Sequence, residues 1–437
     1  MQTKRRGKKN LKFIYLLLLA VFVGIVSFSF ISSQIHNKTE GKNKSDVSSI
    51  HSESQKAPKE KQQLEGDKEK AAFSQQEDLE TNLDQKVNDL LSSMSLEEKI
   101  GQMLVIGFQS NDIDDHVKKM IEEYHVGGII YYDRNMETPA QVTQLSNDLQ
   151  SLAMESKKQI PLLISIDQEG GQIVRMNNHV TPIPSQQELG KKGNSKAVYE
   201  TARRNGQELK AMGIHVNFSP VLDLSATDSR SFGIDSKKTG NLGEQVILGL
   251  ADAGITGTLK HFPGNGRSDI DPHQETSSVQ ANQLDLENND IYPFKKIIES
   301  VDNQTFFTMV THIKYPAYDK ENPASISPVI IQDLLRDKLG FKGITVTDDI
   351  EMGAVSKYFT YKDLGYRAVK AGADLLLVCH TLESQKEVFE GIKEAVLENK
   401  LSEDRIDEAV KRILTFKLSK ITTTYSDVKT AESIVGK

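Results

Sequence analysis

Eight short apolar runs recur between residues 104 and 378, and they constrain the fold more than any other feature of the chain. The segments between most of these runs are amphipathic and long enough to form a helix. Unbroken apolar strands that alternate with helices indicate a parallel sheet whose two faces are both buried. We therefore predict strands near residues 104–108, 128–132, 162–166, 216–222, 256–259, 306–310, 344–346 and 374–378.

Eight strand–helix units in about 340 residues predict an α/β fold whose sheet closes into a (β/α)8 TIM-type barrel. A doubly wound open sheet is the alternative arrangement of the same units. Polar residues follow seven of the eight runs, and a barrel brings the carboxyl ends of all its strands to one mouth. We expect a single cavity lined by these residues, which are Asn135, Asp167, Asp223, Lys260 with His261, His312, Asp348 and His380.

The run from Lys260 to His273 reads Lys-His-Phe-Pro-Gly-Asn-Gly-Arg-Ser-Asp-Ile-Asp-Pro-His and concentrates side chains that are suited to chemistry. Asp271 stands two positions before His273, so its carboxylate can accept a hydrogen bond from the imidazole. Such a bond fixes the tautomer of the ring and favours its protonated form. The spacing predicts a proton-transfer pair on a loop; a solvated loop with an incidental histidine is the alternative.

Two adjacent aspartates, Asp348 and Asp349, follow the seventh apolar run after a single threonine, Thr347. A barrel would place Asp348 at the rim, facing the cavity, and we assign the N-cap of the next helix to Asp349. N-capping alone, with no chemical role for either carboxylate, is the competing interpretation.

Asp167 begins a stretch that contains two adjacent glycines and leads to Arg175. The glycines permit positive φ and a close approach of the backbone. A carboxylate and a guanidinium beside a cavity suit polyhydroxylated ligands, which need several hydrogen bonds of fixed direction. Arg230 is a further candidate for such contacts, and a structural salt bridge is the alternative role for Arg175.

The N-terminus predicts a membrane segment. A basic stretch, residues 4–12, precedes an apolar run over residues 13–31. Nineteen helical residues reach roughly 28 Å, close to the hydrocarbon thickness of a bilayer. The basic flank should stay cytoplasmic, so the rest of the chain would be extracytoplasmic and anchored to the cell membrane. Secretion after signal-peptide cleavage is the alternative.

The rest of the chain divides into three parts. Residues 32–82 are rich in Lys, Glu, Ser, Gln and Asn, and this composition predicts a disordered linker. Residues 83–425 carry the barrel pattern, and residues 426–437 form a C-terminal tail. The net charge of −7 argues against nucleic acid as a partner. The single cysteine, Cys379, ends an apolar run and is expected to pack in the core.

Five motifs, in order along the chain, resemble those of glycoside hydrolase family 3, and more narrowly its β-N-acetylglucosaminidase branch. The resemblance extends from about Leu83 to Ile421. The motifs are Ile166-Asp167-Gln168-Glu169-Gly170-Gly171, Asn217-Phe218-Ser219-Pro220-Val221-Leu222-Asp223, Lys260-His261-Phe262-Pro263-Gly264-x-Gly266, Asp271-x-His273 and Thr347-Asp348-Asp349-x-Glu351-Met352.

This resemblance implies a retaining exo-β-N-acetylglucosaminidase that removes terminal GlcNAc from peptidoglycan fragments. Asp348 stands at the nucleophile position, and His273, held by Asp271, stands at the acid/base position. The residues at the family's sugar-binding positions are Asp167, Arg175, Arg230, Lys260 and His261. The resemblance implies no metal and no cofactor, and we expect a monomer whose partner is a small carbohydrate.

The chain departs from the family pattern at Asn265, where a histidine or arginine is common, and at Pro272, where serine is common. Asp349 stands where relatives acting on β-glucosides carry an aromatic residue, which favours the N-acetylglucosaminide branch. Two alternative functions lie within the same family: a glycoside phosphorylase, or a β-glycosidase of other specificity. Two more remote ones are a non-catalytic sugar-binding protein and a metal-dependent barrel hydrolase built from His261, His273, His312 and Asp348.

Overall fold

The computed structural model describes residues 81–268, 271–421 and 425–437. The predicted membrane segment, residues 1–31, and all of the predicted linker except its last two residues lie outside the described residues. Both therefore stay predictions. Within the described ranges, no helix combines the length and the apolar character needed to cross a bilayer.

Eight parallel strands form one sheet. They are β1 (Leu104–Ile106), β2 (Gly128–Tyr131), β3 (Leu163–Ile166), β4 (Val216–Asn217), β5 (Gly257–Phe262), β6 (Phe306–Val310), β9 (Thr345–Asp349) and β10 (Leu375–Val378). Their order in the sheet is β4-β3-β2-β1-β10-β9-β6-β5. Two isolated parallel bridges, Val216 with Thr256 and Val221 with Lys260, link the edge strands β4 and β5. The sheet is therefore a nearly closed α/β barrel, as the apolar runs predict, and the open doubly wound order is excluded.

Helices connect successive strands, and many begin at a side-chain cap. At the start of the helix Leu96–Gln102, which precedes β1, Ser95 and Glu98 form the reciprocal hydrogen bonds of a capping box. In chain order the helices are α1 (residues 81–92), α2 (Leu96–Gln102), α3 (Asp115–Glu122), α4 (Pro139–Met154), α5 (Gln186–Lys192), α6 (Ser195–Ala211), α7 (Ser236–Asp252), α8 (Gln283–Asn288), α9 (Tyr292–Ser300), α10 (Gly353–Ser356), α11 (Tyr361–Ala371), α12 (Leu382–Leu397), α13 (Glu403–Lys420) and α14 (Val428–Ile434).

The connection between β6 and β9 departs from a simple strand–helix repeat. It contains a small antiparallel hairpin, β7 (Lys314–Tyr315) and β8 (Asp319–Pro323), followed by a π-helix, Val329–Lys338. The hairpin could not be predicted from the sequence, because Asp319–Pro323 reads Asp-Lys-Glu-Asn-Pro and has no apolar alternation.

The side chains of β6 alternate between two apolar clusters, as the two-residue period of a strand requires. Phe307 and Met309 belong to the larger cluster, which includes most of the other strands. Phe306 and Val310 belong to the smaller one, which joins β5 and β6 to α9 and the π-helix. Cys379 is fully buried in the larger cluster, as expected.

The residues that we set apart as a C-terminal tail are folded onto the barrel. Helix α14 packs against α4 and α6, and Ala431 and Val435 are buried there. Asn147 exchanges two hydrogen bonds with the backbone of Ser426, of 2.9 and 2.7 Å. Ala431 lies within α14, and Val435 is the residue that directly follows the helix, so the buried contact extends to the end of the chain segment that α14 forms.

A buried carboxylate joins the base of β10 to two helices, the π-helix and α13. Asp374 is fully buried and accepts hydrogen bonds from Arg336 (2.6 Å), Arg405 (3.0 Å) and Arg412 (3.0 Å). It also accepts one from the backbone N–H of Thr345 at 3.0 Å. Burial raises the pKa of Asp374, but the three guanidinium groups lower it by more, so the net shift is downward.

We expect Asp374→Asn to lower the free energy of unfolding at neutral pH by about 3 kcal/mol, because it removes the counter-charge of the buried Arg336 guanidinium group. Asp374 binds its proton more weakly in the folded state, so its contribution is complete above the ordinary pKa of 3.8 and disappears as the pH falls through the folded pKa. Urea unfolding across this range measures the difference. Glu394→Gln, which breaks an exposed pair with Lys362, is the control. A wild-type-to-variant difference that stayed constant below pH 4 would contradict this account.

Candidate active site

A cavity of about 660 Å³ opens at the carboxyl ends of the barrel strands. Its apolar wall includes Ile130, Met309 and Leu377, one from each of three strands. The structure places all eight predicted site residues in its lining, namely Asp167, Arg175, Arg230, Lys260, His261, Asp271, His273 and Asp348. Their individual roles stay predictions, but the residues do lie together.

One carboxylate connects two of the basic residues. Glu169 accepts two hydrogen bonds from Arg230, of 2.7 and 2.8 Å, and lies 2.6 Å from Lys260 Nζ. Lys260 also donates to Asp167 at 2.6 Å. Burial raises the pKa of Glu169, but Lys260 and Arg230 lower it to about 2. Burial lowers the pKa of Lys260, and its two carboxylate neighbours raise it above its usual value. This network is charged at neutral pH.

Glu169 is a site residue that was not predicted from the sequence, although it lies within one of the five family motifs. A signal was available, because Glu169 follows Asp167 by two positions, and residues two apart in an extended segment point to the same side. The two glycines after it, Gly170 and Gly171, have the positive φ values expected of them, 104° and 60°. The turn that they make returns the chain toward the cavity at Arg175.

A second carboxylate orients the imidazole of His261. Asp223 Oδ2 lies 2.6 Å from His261 Nδ1, and Oδ1 accepts backbone N–H bonds from His261 (3.2 Å) and Asn265 (2.7 Å). Because Nδ1 is engaged by Asp223, a ligand in the cavity would meet Nε2 of this ring. Burial raises the pKa of Asp223, but the His261 imidazole and the backbone N–H groups of Asn265 and His261 together lower it overall, so this carboxyl is ionised at neutral pH.

Asp348 lies in β9 at the cavity wall and is partly buried. One carboxylate oxygen accepts the backbone N–H of Asp349 at 2.9 Å. Burial raises the pKa of Asp348, but its interactions with His261 and His312, the backbone N–H of Asp349 and the Lys260 ammonium group lower it overall. A carboxylate that remains ionised in a largely desolvated position can act as a nucleophile.

The predicted N-cap role of Asp349 is wrong. Helix α10 begins at Gly353, Met352 occupies the N-cap position, and no side chain caps it. Asp349 instead accepts backbone N–H bonds from Glu351 (3.1 Å) and Cys379 (3.2 Å) and pairs with His380 at 3.2 Å. The reason is that β10 lies beside β9, so its carboxyl end reaches Asp349 before the helix starts.

Asp271 and His273 form the predicted pair. Asp271 Oδ1 lies 2.8 Å from His273 Nδ1 and accepts the backbone N–H of His273 at 2.9 Å. These two hydrogen bonds lower the pKa of Asp271. The pair is exposed at the cavity mouth, with 53% of the Asp271 side chain and 68% of the His273 side chain accessible.

Arg175 forms a salt bridge, which is the structural role that the sequence left open as an alternative to ligand binding. Its Nη1 lies 3.2 Å from Asp133, and its guanidinium lies over the ring of Tyr132 at 5.2 Å. Within the described chain, its Nε and the Oδ1 of Asn265 are nevertheless buried without a hydrogen-bond partner. Both residues line the cavity, and such unsatisfied atoms are what a polar ligand or water would engage.

Two of the polar strand-end residues do not line the cavity. Asn135 is buried and donates to the carbonyls of Phe108 and Ser110, so it holds a loop together. His312 bonds through Nδ1 to Ser325 and through Nε2 to the carbonyl of Asp349. Burial lowers the pKa of His312, so the ring is neutral and both nitrogens are used within the protein. This arrangement leaves His312 unavailable to a metal ion.

Comparisons with known proteins identify the family of the chain. Residues 95–416 match the family model of the "Glycosyl hydrolase family 3 N terminal domain". Beta-hexosaminidase A of Pseudoalteromonas piscicida is 31% identical over 348 residues, which are 73% of this chain and 58% of the relative. Beta-hexosaminidase of Nitrosomonas eutropha is 35% identical over 279 residues, 61% of this chain and 78% of the relative.

The structure also resembles that of a glycoside hydrolase family 3 beta-N-acetylglucosaminidase from Paenibacillus sp. str. FPU-7. The TM-score is 0.73 at 39% identity, over 75% of this chain and 63% of the other. This chain therefore spans about three-fifths of the length of the Pseudoalteromonas and Paenibacillus relatives. The family match extends over most of the described barrel and includes all eight site residues. The chain belongs to glycosyl hydrolase family 3.

Proposed function

We propose that this protein is a retaining exo-β-N-acetylglucosaminidase that removes terminal GlcNAc from peptidoglycan fragments. The observation that carries the proposal is that Asp348 and the Asp271–His273 pair line the same cavity as the Lys260–Glu169 network. A cavity of about 660 Å³ is within the range of small-ligand pockets and suits the end of a glycan chain.

In the first step, ionised Asp348 attacks the anomeric carbon and the glycosidic bond breaks. His273 donates a proton from Nε2 to the departing oxygen, because Nδ1 is held by Asp271. In the second step, neutral His273 takes a proton from water, which attacks the anomeric carbon and releases Asp348. The two displacements together retain the β configuration.

The buried charges hold the terminal sugar. Lys260, Arg230, Glu169 and Asp167 are mutually paired, so their donors and acceptors are oriented before a ligand enters. Directed hydrogen bonds of this kind discriminate between sugars through their hydroxyl and acetamido groups. The carboxylates also favour the positive charge that develops in an oxocarbenium-like transition state.

The predicted N-terminal segment supports the choice of substrate. An extracytoplasmic domain on a linker of about fifty residues could reach roughly 40 Å from the membrane, where cell-wall fragments are available. Anchoring, secretion after cleavage and a monomeric state remain proposals of the sequence analysis.

Turnover of defined substrates tests the proposed function. We expect the full-length protein to cleave aryl β-N-acetylglucosaminides much faster than aryl β-glucosides. We also expect it to release GlcNAc from GlcNAc–MurNAc disaccharides, tested with and without a stem peptide. NMR of the first product should show the β anomer. An α anomer, or no turnover of any β-N-acetylglucosaminide, would refute the proposal.

The same assay separates hydrolysis from the remaining alternatives. Activity should persist without phosphate, because water is the proposed acceptor; a strict requirement for phosphate would instead identify a phosphorylase. Activity should also survive exhaustive chelation, whereas a metal-dependent hydrolase would lose its activity.

A further inference from the structure

The loop that carries the Asp271–His273 pair rests on the segment that follows the nucleophile strand. The backbone N–H of Gly353 donates to the carbonyl of His273 at 3.1 Å, and that of Ala354 donates to the carbonyl of Pro272 at 3.0 Å. Gly353 follows Asp348 by only five residues. The backbone of the proton-transfer pair is thus tied directly to the chain that bears the proposed nucleophile.

This contact needs a glycine at position 353. A Cβ atom there would lie 2.7 Å from the carbonyl oxygen of Gln274 and 2.9 Å from that of His273. Both are closer than van der Waals contact allows, and both involve backbone atoms of the loop. Any larger residue would have to push the loop away from β9.

A second set of contacts holds the loop just after His273. Lys357 Nζ donates to the carbonyl of Gln274 at 2.6 Å and lies 3.5 Å from the Glu275 carboxylate. The Tyr358 hydroxyl donates to the other oxygen of that carboxylate. We refer to residues 353–358, which supply all these donors, as the docking segment.

Docking matters because packing does little to fix the pair. The side chains of Asp271 and His273 are more than half exposed, and Asp271 orients the imidazole only relative to its own loop. Proton transfer to a leaving group also requires that the loop be placed relative to Asp348. A displacement of about 1 Å at such a site can cost a hundredfold in rate.

We propose that the docking segment positions the acid/base pair over the nucleophile, and that Tyr358, Lys357 and Glu275 are positioning residues for proton transfer. This inference rests on the proposed function. The three residues act through the backbone of His273 and touch no reacting atom. Removing their contacts should therefore slow the substrates whose leaving groups need protonation, and by a smaller factor than removing His273 itself.

The test is Tyr358→Phe, which removes one hydroxyl and keeps the ring. We measure kcat/KM for aryl β-N-acetylglucosaminides over a series of leaving-group pKa values, because this ratio reports the step that His273 assists. We expect a loss of about tenfold for poorly activated phenols and almost none for dinitrophenol, since protonation contributes least there. Lys357→Met combined with Tyr358→Phe should make kcat/KM depend still more steeply on the pKa of the leaving group.

Tyr199→Phe is the matched control, because Tyr199 donates the same kind of hydroxyl–carboxylate bond to Asp252 between two outer helices. It should leave the leaving-group dependence unchanged. The positioning role would be overturned if Tyr358→Phe lowered kcat/KM equally for all leaving groups, or did not lower it at all. The proposed function would survive that result, provided that the wild-type protein is active and that His273→Ala impairs it. An inactive wild-type protein would instead overturn both proposals.

Discussion

Asp348→Ala is expected to reduce kcat/KM by roughly 10⁴- to 10⁶-fold on every β-N-acetylglucosaminide, whatever its leaving group, because no covalent intermediate can form without a nucleophile. Activated and unactivated substrates should both lose most of their rate, since attack by Asp348 is part of the same displacement that expels either leaving group. Steady-state kinetics on a dinitrophenyl and a methylumbelliferyl glycoside measure the two cases.

Covalent trapping checks the same assignment independently of rates. A 5-fluoro-N-acetylglucosaminyl fluoride should inactivate the wild-type protein and add one sugar to the peptide that contains Asp348. Asp333→Ala, which removes an exposed carboxylate on the π-helix, should leave both activity and labelling intact. Labelling of any other carboxylate would show that the nucleophile is misassigned.

The barrel and the members of its site could be predicted because both follow from local patterns. The run Phe306–Val310 has four apolar residues out of five, and such a run indicates a strand that is buried on both faces. Polar residues directly after such runs must lie at one end of a parallel sheet. The sequence was therefore enough to predict that Asp167, Lys260 and Asp348 line one cavity, although it did not show which side chains they pair with.

The pairings between those residues could not be predicted, because they join distant parts of the chain. Glu169 contacts Arg230, 61 residues away, and nothing in the spacing selects it over Asp167. Asp349 resembles a helix cap in sequence, but the end of β10 reaches it first. The docking of the acid/base loop is likewise invisible in sequence, because Gly353 and Tyr358 carry no motif that points to residues 271–275.

His273→Ala is expected to lower kcat/KM by about 10²- to 10⁴-fold on glycosides with poor leaving groups, including GlcNAc–MurNAc, and by little on a dinitrophenyl glycoside. An imidazole that protonates the departing oxygen matters only when that oxygen is basic. The second step also needs His273, as a base, so kcat on the dinitrophenyl substrate should fall even though kcat/KM does not. The glycosyl-enzyme should then accumulate, which appears as a burst of phenol and a lowered KM.

Azide distinguishes a missing base from a damaged fold. In His273→Ala the anion needs no deprotonation, so it should raise kcat on the dinitrophenyl substrate and yield the β-glycosyl azide. Asp271→Asn should show the same pattern more weakly, because the imidazole remains but loses the carboxylate that orients Nδ1. His179→Ala, which removes a histidine that lies outside the cavity lining, should respond to azide no more than the wild type does. If His273→Ala instead lost equal activity on every leaving group and ignored azide, proton transfer would have to be assigned to another residue.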